Sequence, residues 1–72
     1  MKKQTIGEQR VGLTFNPSED NLVTEYKTQI AKMIDTLEEQ IEGSNGEKIR
    51  TIKIAQQQLE TGCMYAVKSI FK

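Results

Sequence analysis

Lys27, Arg50 and Lys53 occupy the positions in this chain from which an anion is best met. Lys27 borders an apolar stripe, so its stem can lie on a core while its ammonium reaches a charged ligand. Arg50 and Lys53 stand three residues apart near the start of a long periodic segment and share one helix face. At a helix N-terminus the free backbone N–H groups and the positive dipole end favour a phosphate. Phe15, ahead of the first long segment, has two readings. It can stack on a nucleobase, worth about 1–3 kcal/mol per base, or it can staple its arm onto the helices.

Catalytic chemistry finds little to work with. There is no histidine, and the serines and threonines have no placed base. The single cysteine, Cys63, sits in an apolar run and reads as a small core hydrophobe. One thiol without histidine excludes an internal disulfide and a zinc set. Asp35, Glu38, Glu39 and Glu42 could face a divalent cation together, but a solvated helix end is the simpler reading. Gly43 and Gly46 lack the spacing and the Lys-Ser/Thr of a phosphate-cradling loop. The sequence therefore predicts a binding protein with no catalytic residues, metal or cofactor.

The elements that position the cations are helical. Residues 1–16 form a polar arm in which Lys3 to Arg10 can make a short helix, although Gly7 and Gly12 weigh against it. Val11, Leu13 and Phe15 alternate, predicting an extended stretch. Asn16-Pro17-Ser18-Glu19 is a helix start, with Asn16 or Ser18 as cap. The first long helix is placed at 17–42, its first residue between 17 and 21. Its stripe is Val23, Tyr26, Ile30, Met33, Leu37 and Ile41, widened by Leu22, Ile34 and the stem of Lys27. Gly43 suits the left-handed residue after it, and Ser44 with Glu47 reads as a capping box for the next helix.

The second long helix is placed at 46–71. Ile49, Ile52, Gln56, Leu59, Cys63, Ala66 and Ile70 form an unbroken heptad seam, with Gln56 as a register device or a ligand partner. The short connection makes the two long helices antiparallel neighbours. The expected fold is all-α: a single domain, 1–72, with a short N-terminal helix or arm and a helical hairpin.

A second apolar line, Met64, Val67 and Phe71, lies beside the seam, so the last turns are apolar on nearly every side. A helix of that kind must be surrounded. Seventy-two residues are too few to surround it from within one copy, so a homo-oligomer is expected. Gly62, costly inside a helix, fits close approach by another backbone. Net charge is zero, but residues 35–47 carry a local −5 and residues 48–72 a local +4. Long nucleic acid is a poor partner for a neutral chain of this size, whereas a small phosphate ligand needs only two or three placed cations. No apolar run spans a membrane, and Met1-Lys2-Lys3 leads into polar residues and not into a secretory signal. A cytoplasmic protein is expected.

Several segments in order, Gly7-Glu8-Gln9-Arg10-Val11, Phe15-Asn16-Pro17-Ser18, Val23, Lys27, Arg50, Ala55-Gln56, Leu59-Glu60 and Met64-Tyr65-Ala66-Val67-Lys68, resemble the phage anti-CBASS cyclic-nucleotide sponge family. The resemblance covers residues 7–69. It implies hexamers that bind cyclic dinucleotides such as 3′,3′-cGAMP and, at separate sites, cyclic trinucleotides such as cyclic triadenylate. These messengers are sequestered uncut in the infected bacterial cytoplasm, so the CBASS effector stays off. Carried over residue by residue, the dinucleotide site would use Lys27, with Phe15 as the nearest aromatic and Arg10 from the first matched segment. The trinucleotide site would use Arg50 with Thr28 or Gln29, and Lys53 beside them. Two departures stand out: a short inter-helix loop, and Tyr65 where a tryptophan is common. A reading of another class is a helical adaptor that docks a host protein through the Met64/Val67/Phe71 face.

Overall fold

Thr5 and Glu8 begin the folded part of the chain by capping each other. The Glu8 N–H donates to Thr5 Oγ1 at 3.1 Å and the Thr5 N–H to Glu8 Oε1 at 2.8 Å. This reciprocal box satisfies two N–H groups that the first turn would otherwise leave open. It starts α1, Ile6–Val11. Gly12 stops the helix in the left-handed region (φ 66°), where glycine carries no Cβ penalty. There Leu13 N–H returns to Glu8 O and Gly12 N–H to Gln9 O, the paired bonds of a Schellman ending. Val11 is thus the last helical residue and not the first of an extended run, and residues 12–14 form a turn.

The computed structural model describes residues 3–14 and 20–71. Phe15 and the expected start Asn16-Pro17-Ser18-Glu19 lie outside the described residues. Among those described, Asp20 caps the first long helix by accepting the Leu22 N–H at 2.8 Å, and α2 runs Asn21–Ile41. Gly43 takes the left-handed turn (φ 81°) as expected. The capping box at Ser44 does not form. Its hydroxyl turns back to the Gln40 carbonyl left open at the end of α2. Asn45 caps instead, accepting the Lys48 N–H at 2.9 Å, and α3 runs Gly46–Ile70.

The two long helices pack antiparallel along the heptad seam, which buries Ile52, Gln56 and Cys63. On α2 the buried line is Val23, Lys27, Ala31 and Ile34, rotated from the expected stripe: Met33 and Leu22 face outward. The reason is Lys27, whose stem takes a core position, and Ala31, whose small size admits α1. Gln56 is the register device. Its Nε2 donates to Ile34 O at 3.1 Å and to Glu38 Oε1 at 3.0 Å, so residue 56 must face residue 34. A slip by one turn would leave a buried amide unsatisfied.

Among the described residues of one chain, close backbone approach occurs at Gly7 and not at Gly62. A Cβ at Gly7 would overlap the Ala31 carbonyl oxygen, while nothing stands within 4 Å of one at Gly62. The Gly7 N–H also donates to Asp35 Oδ1 at 2.7 Å, so one residue both admits α2 and ties to it.

The Cα envelope measures 41 × 32 × 12 Å, a flattened shape. Its radius of gyration, 13.2 Å, exceeds the about 11 Å expected of a compact chain of this length. So flat a shape leaves helix faces uncovered. Met64 is 70% exposed and Phe71 58%. Ile54 and Tyr65 are also exposed, on a direction about 100° further round α3. Among the described residues no helix is long and apolar enough to cross a membrane.

Replacing Gly7 by alanine should force α1 off α2 and cost about 1–3 kcal/mol, the usual range for overpacking. Urea melts followed by circular dichroism measure this; an unchanged midpoint would mean that α1 docks elsewhere.

Candidate functional site

Docking of α1 brings Arg10 over α3. Its Nη2 and Nε donate to the same oxygen, Glu60 Oε2, at 2.6 and 3.1 Å. Both side chains are about two-thirds covered. Below them Lys27 is nearly buried, and its Nζ donates to Gly12 O at 3.0 Å. That carbonyl lies just past the C-terminal end of α1, where a cation is favoured. The cap glycine and the buried lysine thus hold each other in place.

These groups enclose a cavity of about 350 Å³. Arg10, Lys27 and Glu60 form its polar wall, and Val11, Cys63, Met64 and Val67 its apolar one. The volume lies in the range of small-ligand sites, and the mixture of apolar wall and few polar groups is typical of them. A shallower groove of about 600 Å³ lies against Lys53, Gln57 and Glu38, and Arg10 and Glu60 line it too. The Arg10–Glu60 pair is therefore the partition between the two.

Two expected site residues, Arg10 and Lys27, meet in one cavity. The others do not join them. Arg50 is exposed and pairs with Glu47 at 3.4 Å, and Asn45 already serves the N-terminus of α3. Lys53 is exposed at the second groove. Thr28 and Gln29 lie on α2, with Gln29 Nε2 on Glu25. Because residue 56 faces residue 34, Arg50 is level with about residue 40, roughly 18 Å along the hairpin from Thr28. One protomer does not bring Arg50 and Thr28 together. The acidic run on α2 is put to structural use: Asp35 binds the Gly7 N–H and Glu38 binds Gln56.

Glu60, Cys63, Met64 and Val67 were not singled out as site residues from the sequence. A signal existed for Glu60, the one acid among residues 48–72. Its partner lies fifty residues away in the chain, so no local pattern announces the pair.

A family model described as Acb2/Tad1, hairpin domain, matches residues 6–71, from the first residue of α1 to the end of α3. The chain belongs to the Acb2/Tad1 hairpin family. That family is the anti-CBASS cyclic nucleotide sponge family, a sequestering domain and not an enzyme. The helical hairpin is the fold expected of an Acb2/Tad1 member. Among curated proteins and among solved structures, no match is found.

Burial pushes the Cys63 thiol above its ordinary 9.0, and the nearby Lys27 ammonium pulls the other way without cancelling the effect. The folded chain thus holds this proton more tightly than the unfolded one. Stability should be unaffected below that value and fall as pH rises beyond about 9, where only the unfolded thiol ionises. Thermal melts across pH 7–10.5 test this: Cys63→Ala should flatten the decline, and an equal slope in both chains would place its origin elsewhere.

Proposed function

We propose that this chain binds cyclic oligonucleotide messengers and withholds them, uncut, from a CBASS effector. The observation that carries this reading is the cavity in which Arg10 and Lys27 stand against an apolar wall. A cyclic dinucleotide joins two phosphates to two flat bases, and those surfaces call for cations beside apolar side chains. Each charge-assisted contact contributes about 1.5–3 kcal/mol. A pocket completed by a second copy would present Lys27 twice. With base packing, that brings nanomolar binding (near −12 kcal/mol) within reach after the costs of association.

The assembly belongs to the same proposal. Met64 contributes to the cavity wall and is 70% exposed, so the ligand site and an uncovered apolar surface are continuous. Copies packed there cover both, and a hexamer is the state the family suggests. Arg50 with Lys53 on one protomer and Thr28 with Gln29 on another would form the separate trinucleotide site, since a single chain keeps them apart. Phe15 would close over a base from the arm. Sequestration asks for tight binding and abundance, not turnover, which suits a chain without histidine.

Titration calorimetry with cyclic di- and trinucleotides, followed by mass analysis of the recovered ligand, tests the proposal. The expected result is submicromolar binding with the ligand intact. Lys27→Met, which keeps an apolar stem, should weaken dinucleotide binding at least tenfold. A melt must accompany that variant, because losing the Gly12 bond should itself cost about 1–2 kcal/mol. Failure to bind any cyclic oligonucleotide, or recovery of cleaved ligand, would refute the reading.

A further inference from the structure

We infer that Glu60 is a base-reading residue and that the cavity takes a guanine-bearing cyclic dinucleotide in preference to an adenine-only one. This rests on the sponge reading of the same cavity and assigns its selectivity. Among the described residues lining the cavity, Glu60 is the only carboxylate and the only strong side-chain acceptor. The other polar groups, Arg10 and Lys27, are donors.

The hydrogen-bond count decides what Glu60 can accept. Its Oε2 receives two N–H bonds from Arg10, which use the lone pairs of that oxygen. Among the described residues Oε1 has no protein partner and keeps two acceptor positions. Both Arg10 donors end on Oε2, so that oxygen is anchored and Oε1 is the one left to meet a ligand. A phosphate beside Oε1 would be repelled. A group that donates there is needed; the ribose hydroxyls are common to every ligand of this class, so only the donors on a base edge can make this oxygen choose between bases.

The nucleobases differ at this point. The Watson–Crick edge of guanine carries two adjacent donors, N1–H and the 2-amino group, and both can be directed at a carboxylate. Adenine places an acceptor, N1, beside its single amino donor, so its edge turns a lone pair toward the carboxylate. A site built to hydrogen-bond a ligand rejects the analogue that leaves its acceptor unpaired. The apolar wall of Val11, Met64 and Val67 gives the ring a surface to lie on while its edge meets Glu60. The phosphates then fall to Lys27 and to the Arg10 N–H groups that Glu60 does not use.

Binding of cyclic di-GMP and cyclic di-AMP is compared by calorimetry on the full chain and on Glu60→Gln, with melts to confirm that the variant is folded. The wild-type chain should favour cyclic di-GMP by roughly 10- to 100-fold, the range for a hydrogen bond to a charged acceptor. In Glu60→Gln that gap should shrink to a few-fold, mainly through weaker cyclic di-GMP binding. Cyclic di-inosine monophosphate, which keeps N1–H and lacks the 2-amino group, tests the same point without a variant. It should bind the wild-type chain more weakly than cyclic di-GMP. Equal affinity of the wild-type chain for all three ligands, or a gap that survives in Glu60→Gln, overturns the assignment and leaves the sponge reading intact. Failure of the wild-type chain to bind any of the three also overturns the assignment, and the sponge reading falls with it only if no other cyclic di- or trinucleotide binds.

Discussion

The docking of α1 against α2 at Gly7 is the contact on which the rest of the molecule depends. The hairpin of α2 and α3 supplies Lys27, Glu60, Cys63, Met64 and Val67 to the cavity, and α1 completes its wall with Arg10 and Val11. That approach is possible because one residue has no side chain and its N–H meets the Asp35 carboxylate at 2.7 Å. Six residues of helix carry little intrinsic stability, since nucleation is costly and few bonds are gained. The Thr5–Glu8 box, the Gly12 ending and the Lys27 bond supply locally what length does not.

Much of this was legible in the sequence where one helix face or one turn carries the signal. The seam from Ile49 to Ile70, the left-handed Gly43 and the antiparallel pairing follow from spacing alone. The α2 stripe came out rotated because hydrophobicity was counted residue by residue. Lys27 is buried by its stem and Ala31 by its smallness, and neither looks like a core residue in isolation. The role of Gly7 was missed for the opposite reason. A glycine in a short polar segment reads as a weak helix former, and only a second helix at close range turns it into a necessity. Thr5-Ile6-Gly7-Glu8 has the spacing of a capping box, yet that local pattern outweighed the glycines only once α1 was seen to form.

For the site, the sequence identified cations and not their company. Lys27 and Arg10 line one cavity in the fold, and Glu60 adds to that electropositive corner a carboxylate that the sequence reading did not include. Long-range ion pairs leave no periodic trace. At the start of α3 the sequence shows Arg50 but not its local partners: Glu47 pairs with it at 3.4 Å and Asn45 accepts the Lys48 N–H.

In the proposed assembly, the exposed faces of a molecule only 12 Å thick would decide how copies add to one another. Successive residues Met64 and Tyr65 point about 100° apart, so α3 offers apolar surface in two directions at once. Contacts made through two different patches propagate head to tail, and they end only when the rotation between neighbours brings the last copy back to the first. A closed ring has a fixed number of seams. The messenger capacity of each particle would then be set by that angle and not by how much protein the cell contains.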